Sequence, residues 1–239
     1  MITLTPKELA LVAVQGFGAM QKVSEFASLL ELLEKEVEHE YRLPLRILEI
    51  GAGKGGTAWA FTKLRASKVV SIDLPNGPWG GGEIVPQVKY INENSKCEYH
   101  YIAGNSQSPE AFLKAQELIP VVDFLFIDGD HSYEGVKADY EKYEPLVRQG
   151  GIIGFHDIAL HAKETGCEVE KFWCELIKGR QTEACIRVLQ RMKEGELLGE
   201  GEDEYGKHLE YKLSLKTDGY DRFIEDDGNA WAGIGVIRK

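Results

Sequence analysis

Apolar segments of strand length alternate with amphipathic segments of helix length between residues 45 and 157. The strand-like segments are LRILEI (45–50), KVVSID (68–73), CEYHYIAG (97–104), VVDFLFID (121–128) and GGIIGFHD (150–157). The helix-like segments between them are TAWAFTKLR (57–65), SPEAFLKAQELI (108–119) and EGVKADYEKYEPLV (134–147). This order is typical of a doubly wound α/β fold, in which helices cover both faces of a mostly parallel sheet.

Further segments flank this core on both sides. The pattern predicts an amphipathic helix over 21–38, a helix over 168–179, an extra strand over 208–215 and a closing strand over 231–239. The five core strands and these two additions give a predicted sheet of seven strands. A chain of 239 residues fits a single domain with a substantial core.

The composition indicates a globular protein, with 43% hydrophobic and 28% charged residues. The formal net charge of -11 argues against nucleic acid or an anionic membrane as the main partner. The sequence has no leader-like start and no apolar stretch of bilayer length, so we expect a cytoplasmic protein. Its four cysteines form no CxxC pair, and a zinc site on Cys167 and Cys174 lacks a second pair to support it.

A glycine-rich loop follows the first predicted strand. Gly51, Gly53 and Gly56 have the G-x-G-x-x-G spacing, which alone is a weak signal because a tight strand-to-helix turn needs no ligand. Asp73 ends the next strand, and an acid at that position typically accepts hydrogen bonds from ribose hydroxyls. Together these residues favour a cofactor that contains a nucleoside, with its polar groups near a helix N-terminus.

Acidic and imidazole side chains follow two later strands. Asp128 ends one of them and is followed by His131, while His156 and Asp157 end the next one. Because the carboxyl ends of parallel strands meet at one edge, we expect these groups to converge. Two carboxylates and an imidazole suit a divalent cation such as Mg²⁺ or Mn²⁺. His131 suits a general base because an unperturbed imidazole titrates near neutral pH.

Structural roles remain open for the same residues. Asp128 is also suited to cap the following helix. His131 is also suited to a backbone hydrogen bond at the helix start, and His156 to a polar position at a strand end.

Four segments, taken in chain order, carry a resemblance to a known family: LEIGAGKGGT (48–57), SIDLP (71–75), AGNSQS (103–108) and DFLFIDGDHSYEGVKADYEKYEPLVRQGGIIGFHD (123–157). The chain resembles class I S-adenosylmethionine (SAM) methyltransferases, which have a Rossmann-like fold. It is most similar to the small-molecule O-methyltransferases, the branch with catechol-type, macrolide-sugar and cephalosporin-hydroxylase-like proteins. The resemblance covers about 21–178 and the final strand.

The resemblance implies a role for each matching residue. Those that would surround the methionine part of SAM are Glu49, Gly51, Gly53 and Thr57. Asp73 would bind the ribose hydroxyls. Those that would flank the adenine are Asn105, Ser106 and Gln107. Asp128 is counted among the cofactor-binding residues as well as among the catalytic ones.

In the metal-dependent relatives the implied ligands fall on Asp128, His156 and Asp157 of this chain. The family usually has Asp-Asn or Glu-Asp where this chain has His156–Asp157. A nitrogen ligand in place of an oxygen favours a softer ion than Mg²⁺. His131 lies where the macrolide-type relatives place their base.

The resemblance therefore implies a SAM-dependent transfer of a methyl group to a hydroxyl oxygen of a small molecule, aided by a divalent metal. A NAD-dependent oxidoreductase of Rossmann type and a non-catalytic SAM-binding relative are the alternatives. The expected single methyltransferase domain, 1–239, has a helical cap (1–44), a cofactor-binding core (45–178), an insertion for acceptor specificity (180–229) and a final strand (230–239). The apolar stretch LALVAVQGFGAM (9–20) offers a surface for a homo-oligomer.

Overall fold

The structure is a computed structural model. The residues it describes are 4–36, 44–77, 84–178, 210–211, 220–225 and 231–239. Trp79 and most of the predicted insertion 180–229 lie outside this part of the chain.

A single twisted sheet organises the described residues. Its strands are β1 (Leu45–Ile50), β2 (Ala66–Asp73), β3 (Glu98–Ala103), β4 (Val122–Ile127), β5 (Val147–Phe155), β6 (Glu210–Tyr211), β7 (Tyr220–Glu225) and β8 (Ile234–Arg238). They lie in the order β3-β2-β1-β4-β5-β8-β7-β6. The first five strands pair in parallel, whereas β8 runs antiparallel to β5 and β7 antiparallel to β8.

The mostly parallel, doubly wound fold is confirmed, but the predicted count of seven strands is wrong. Six strands, β1 to β5 and β8, form the continuous body of the sheet, and β7 with the two-residue β6 extends it to eight. The segment of β7, YDRFIE, mixes charges with apolar residues and lacks the apolar run that identified the core strands. Of the extra strand predicted over 208–215, only β6 lies in the described part of the chain.

Seven α-helices of the described ranges pack on this sheet. They are α1 (Pro6–Phe17), α2 (Val23–Glu36), α3 (Gly56–Lys63), α4 (Ile84–Asn94), α5 (Pro109–Leu118), α6 (Tyr133–Tyr143) and α7 (Val169–Ile177). The helix predicted over 21–38 corresponds to α2. Helices α1 and α4 were not predicted from the sequence.

The N-terminal boundary of α1 has a strong local cause. The Thr5 side chain accepts a hydrogen bond from the backbone N–H of Glu8, and the Glu8 carboxylate accepts one from the backbone of Thr5. Pro6 occupies the first turn, where its missing N–H costs nothing. The segment TPKE thus specifies a helix start, although the apolar residues after it were interpreted as an oligomer surface.

Both faces of the sheet are covered, as the doubly wound prediction requires. Helices α1 to α4 pack on one face, where Phe26, Phe61 and Phe124 are fully buried. Helices α5, α6 and α7 pack on the other face, with Tyr143 and Trp173 at its centre. Part of the N-terminal apolar stretch, including Leu9 and Ala13, is therefore buried within the chain itself.

The neighbouring strands β1 and β4 form the switch point of the topology. From β1 the chain proceeds outward through β2 to β3, and from β4 it proceeds the opposite way to β5. The loops that follow β1 and β4 therefore diverge and leave a crevice at the carboxyl edge of the sheet. Asp73, Asp128 and Asp157 all lie at this edge.

Candidate active site

Two glycines of the loop after β1 are required by the packing of the chain itself. A Cβ atom on Gly51 would lie 1.8 Å from the backbone oxygen of Asp128, and Gly51 has a φ of 86°. A Cβ atom on Gly56 would lie 2.3 Å from the backbone nitrogen of Ala19. The loop is thus pressed between the end of β4 and the segment that joins α1 to α2, so these glycines need no ligand to explain them.

Gly53 faces the acid at the end of β2. Its backbone N–H donates a hydrogen bond of 2.6 Å to Asp73 Oδ2, while the N–H of Leu74 donates one of 2.6 Å to Oδ1. Burial raises the pKa of Asp73, although its backbone hydrogen bonds oppose the shift. The structure therefore fixes this carboxylate beside the glycine loop, where an acid that receives ribose hydroxyls is expected.

Glu49 and Thr57 are brought together below the loop. The carboxylate of Glu49 is fully buried and accepts hydrogen bonds from the hydroxyl groups of Thr57 and of Ser71, the latter at 2.5 Å. Burial raises the pKa of Glu49 to about 7, and the charges of Asp128 and Asp73 add to the shift. A positive group above this carboxylate would stabilise its ionised form.

Helix α6 fixes the loop that carries the predicted adenine-flanking residues. The Ser106 hydroxyl donates a hydrogen bond of 2.7 Å to Asp139, and the Tyr143 hydroxyl donates one of 2.7 Å to the Ser106 backbone oxygen. The side chain of Asn105 accepts a bond of 2.8 Å from the backbone N–H of Gln107. The three predicted residues thus form one ordered turn above the end of β3.

Asp128 lies at the centre of the second predicted cluster. Its Oδ1 atom is 3.1 Å from His156 Nδ1 and 3.4 Å from His131 Nε2. Its Oδ2 atom accepts a hydrogen bond of 2.9 Å from the side-chain amide of Gln21. Asp128 does not cap α6, because the Ser132 hydroxyl accepts the bond from the backbone N–H of Gly135. The capping alternative for Asp128 is therefore wrong.

The two oxygens of Asp157 face different partners. Oδ1 lies 3.3 Å from His156 Nδ1 and 3.1 Å from His161 Nε2. It also accepts a hydrogen bond of 3.1 Å from the backbone N–H of Ala232. Oδ2 lies 3.3 Å from His131 Nδ1. The imidazole of His131 is therefore held between the carboxylates of Asp128 and Asp157.

The charges of the cluster are tightly coupled. The hydrogen bond to Asp128 raises the pKa of His131. Burial alone would lower the pKa of His156, but the carboxylates of Asp128 and Asp157 raise it well above its ordinary value. Burial opposes ionisation of Asp157, yet the surrounding imidazoles hold its pKa far below the usual range. The imidazoles and the two carboxylates thus favour each other's charged forms.

The donor set fits a divalent cation. Asp128, His156 and Asp157 each offer one ligand atom, and these atoms lie within 4.8 Å of one another. Two carboxylate oxygens and one imidazole nitrogen are hard or borderline ligands, and three protein ligands leave positions for water or substrate. A cation there would place positive charge beside the carboxylates of Asp128 and Asp157.

Three neighbours of the cluster were not predicted as site residues. Gln21 lies in the segment predicted as part of a helix, but it precedes α2 and its side chain is buried against Asp128. His161 lies four residues after Asp157 in an irregular segment, so no periodicity identified it. Cys167 was weighed with Cys174, whereas in the structure it lies near His131 and Asp157.

A family described as a methyltransferase domain matches residues 48–158. This chain carries a methyltransferase domain. All the predicted cofactor, catalytic and metal residues, from Glu49 to Asp157, lie within the matched range. Gln21, His161 and Cys167 lie outside it, so the domain receives contacts from segments on either side of the match.

Two solved structures share the fold of this methyltransferase domain. MycE methyltransferase from the mycinamycin biosynthetic pathway, in complex with Mg, SAH and mycinamycin VI, is 14% identical with a TM-score of 0.54. The similarity covers 99% of this chain and 55% of that one. Cofactor-bound Rv0187 from MTB is 18% identical with a TM-score of 0.50, covering 96% and 87% of the two chains. At these identities the likeness concerns the fold alone.

Two uncharacterized proteins are similar in sequence. Protein y4gI of Sinorhizobium fredii (strain NBRC 101917 / NGR234) is 28% identical over 144 residues, which cover 56% of this chain and 15% of that protein. A protein of Acanthamoeba polyphaga mimivirus is 27% identical over 121 residues, covering 47% and 51%. The chain thus spans about half or less of these relatives. Among the described residues, no helix combines the length and hydropathy that crossing a membrane would require.

Proposed function

We propose that the methyltransferase domain transfers the methyl group of SAM to a hydroxyl oxygen of a small molecule. The observation that carries the proposal is the arrangement at the carboxyl edge of the sheet. Asp73 and the glycine loop lie on one side of the switch point, and the cluster of Asp128, His131, His156 and Asp157 lies on the other. A donor in the first part would present its methyl group to an acceptor in the second.

The cofactor half of the crevice suits the charge distribution of SAM. The Asp73 carboxylate is positioned for ribose hydroxyls, and the buried Glu49 carboxylate lies below the loop that would receive the cationic methionine part. Asn105, Ser106 and Gln107 form the wall assigned to the adenine. The SAH and Mg in the MycE structure support the same cofactor and a metal for this chain.

The acceptor half suits deprotonation of a hydroxyl group. A neutral ring nitrogen of His131 accepts the hydroxyl proton of the substrate. The substrate oxygen then forms a bond to the methyl carbon, and the carbon–sulfur bond breaks to leave neutral SAH. Asp128 and Asp157 orient the ring from both sides. Asp128, His156 and Asp157 would hold Mg²⁺ or Mn²⁺, which supplies Lewis-acid polarisation of a hydroxyl oxygen when bound.

We infer an acceptor with an apolar ring or chain from exposed apolar residues that adjoin, in sequence, the neighbours of the cluster. Met20, Leu160 and Trp231 are exposed large side chains. Each of them adjoins, in sequence, a residue that contacts the cluster, namely Gln21, His161 and Ala232. The Lys22 ammonium lies 5.5 Å from the centre of the Trp231 ring. A hydroxylated small molecule with an apolar face would bury these side chains on binding.

A NAD-dependent oxidoreductase is not favoured, because the family that matches is a methyltransferase domain and the second cluster has no role in hydride transfer. Paired calorimetric titrations test the proposal. We expect the wild-type chain to bind SAM and SAH with a stoichiometry of one and to show no heat of binding with NAD⁺. Binding of NAD⁺ with absence of SAM binding would contradict the proposal.

A second titration tests the metal. With SAH present, we expect Mn²⁺ to bind the wild type and to bind Asp128→Asn at least about tenfold more weakly, because one charged ligand is lost. Glu117→Gln, which removes an exposed carboxylate on α5 far from the crevice, serves as the control. Equal Mn²⁺ affinity in all three proteins would contradict the metal assignment.

A further inference from the structure

A second group of potential metal ligands adjoins the first. Ligand atoms of His131, Asp157 and Cys167 all lie within 4.8 Å of one another. The pair that joins His131 Nδ1 to Asp157 Oδ2 is separated by 3.3 Å. The methyl-transfer chemistry uses no thiol, so Cys167 has no role in the site described above.

The local backbone places Cys167 at this point. Lys163–Thr165 form a short 3-10 helix that ends at Gly166, whose φ of 69° is in the left-handed region. The Thr165 hydroxyl then accepts a hydrogen bond of 3.2 Å from the backbone N–H of Cys167. The next residue, Glu168, donates its backbone N–H to the backbone oxygen of His131 at 2.8 Å. The thiol-bearing turn is thus tied to the residue whose imidazole it approaches.

The other cysteines of the described residues are placed differently. Cys97 is buried in the core below β3, and the thiol of Cys174 donates to Glu170 within α7 at 3.2 Å. Cys167 is half-buried, and its thiol lies within 4.8 Å of ligand atoms of the His131 imidazole and the Asp157 carboxylate. The sulfur of Cys167 therefore lies beside a nitrogen donor and an oxygen donor.

Asp157 connects the two groups through its separate oxygens. Oδ1 faces His156 of the first site and Oδ2 faces His131 of the second. A carboxylate in this position can ligate either of two neighbouring cations, or bridge them. Thiolate and imidazole ligands favour Zn²⁺ and Co²⁺ over Mg²⁺, whereas the thiol-free first group favours Mg²⁺ or Mn²⁺.

We propose that His131, Asp157 and Cys167 form a second metal site, selective for a borderline cation of the Zn²⁺ type. One consequence rests on the proposed function. A cation on Nδ1 of His131 leaves the proton on Nε2 and removes the lone pair that the base requires. Zinc in this site and proton transfer by His131 therefore exclude each other.

Cobalt absorption tests the site without any methyl acceptor. Co²⁺ bound to a thiolate gives a charge-transfer band in the near ultraviolet, which carboxylate and imidazole ligands do not give. We expect this band in the wild-type protein under reducing conditions, at one thiolate-bound Co²⁺ per chain. Zn²⁺ should displace Co²⁺ and remove the band, because a site with a thiolate ligand binds zinc more tightly than cobalt. An equal concentration of Mg²⁺ should leave the band unchanged.

Matched variants locate the thiolate. Cys167→Ser should lose the band, and Cys174→Ser should retain it. His131→Ala should weaken Co²⁺ binding at least tenfold while retaining the thiol, and far-ultraviolet circular dichroism would verify that each variant is folded. Asp128→Asn, which removes a ligand of the first site only, should retain the band. A retained band in Asp128→Asn would show that the second site does not depend on the Mg²⁺ or Mn²⁺ site.

The opposite results would overturn the second site. Absence of the band at saturating Co²⁺ in the reduced wild type would exclude thiolate ligation. A band that persists in Cys167→Ser but disappears in Cys174→Ser would move the thiolate to α7. Failure to bind SAM would contradict the proposed function but would leave the cobalt result unaffected.

Discussion

Asp73 Oδ2 accepts a hydrogen bond of 2.6 Å from the backbone N–H of Gly53. This bond joins the end of β2 to the glycine loop after β1, and it aligns the carboxylate with the backbone that the cofactor would approach. The same two elements were predicted to cooperate because an acid at the end of β2 commonly receives ribose hydroxyls. The contact gives that prediction a defined geometry.

Replacement of Asp73 should remove most of the affinity for SAM. Hydrogen bonds to a charged group contribute about 1.5 to 3 kcal/mol each, so loss of two such bonds to the ribose in Asp73→Ala should weaken binding at least about 100-fold. Calorimetric titration with SAH would measure the change, with Glu117→Gln as the control for removing a carboxylate. Equal affinity in the wild type and Asp73→Ala would refute the ribose assignment.

Binding of SAM should release protons through Glu49. The pKa of this buried carboxyl group is about 7, so at pH 6.5 it is largely protonated. The cationic donor above it would lower that pKa, and the proton would leave on binding. Titrations in buffers of different ionisation enthalpy should show proton release by the wild type and much less by Glu49→Gln. Net proton uptake, or equal release in both proteins, would contradict this linkage.

Asp128 should matter for turnover more than for cofactor affinity. We expect Asp128→Ala to bind SAM within about tenfold of the wild type but to transfer methyl groups about 1000-fold more slowly, because the His131 base loses an orienting carboxylate. Gln21→Ala, which removes the amide that contacts the other oxygen of Asp128, should have a smaller effect of the same kind. A loss of SAM binding that matches the loss of turnover would indicate that Asp128 serves the cofactor alone.

Stability should depend on pH through Asp139. Burial raises the pKa of this carboxyl group to about 6, whereas in an unfolded chain it is about 4. The folded protein therefore holds more protons between these values, and its stability falls as the pH rises through about 6. Asp139→Asn cannot ionise, so its free energy of unfolding relative to the wild type should increase by about 2 to 3 kcal/mol between pH 4 and pH 8.

Urea denaturation of both proteins at pH 4, 6 and 8 would measure this difference. The Asn side chain can still accept the hydrogen bond from Ser106, so loss of that contact does not mask the pH effect. A difference in unfolding free energy that stays constant across the three pH values would show that burial does not raise the pKa of Asp139.

Much of the fold follows from local sequence patterns. The parallel strands β1, β2, β4 and β5 each contain an apolar run that is buried on both faces, and this made them recognisable. Helix α4 was missed because Pro86 interrupts its pattern, although a proline in the first turn removes no helical hydrogen bond. The charged strand β7 was missed because it lies near the sheet edge, where an apolar run is not required.

The candidate site was only partly predictable. Asp73, Asp128 and Asp157 follow recognisable strands, so their positions at the crevice follow from parallel topology. Gln21 and His161 reach the cluster from irregular segments that carry no periodic signal. The sequence also did not reveal why positions 51 and 56 require glycine, because each packs against backbone atoms that are distant in sequence.

A crystal structure of the chain soaked with SAH tests the central claim most directly. We expect the adenosine in the crevice between the ends of β1 and β4, with both ribose hydroxyls bonded to the Asp73 carboxylate and the amino-acid tail over the glycine loop. The sulfur atom should face the cluster of Asp128, His131, His156 and Asp157. An empty crevice in crystals that contain SAH elsewhere, or a nucleoside that does not contact Asp73, would contradict the account.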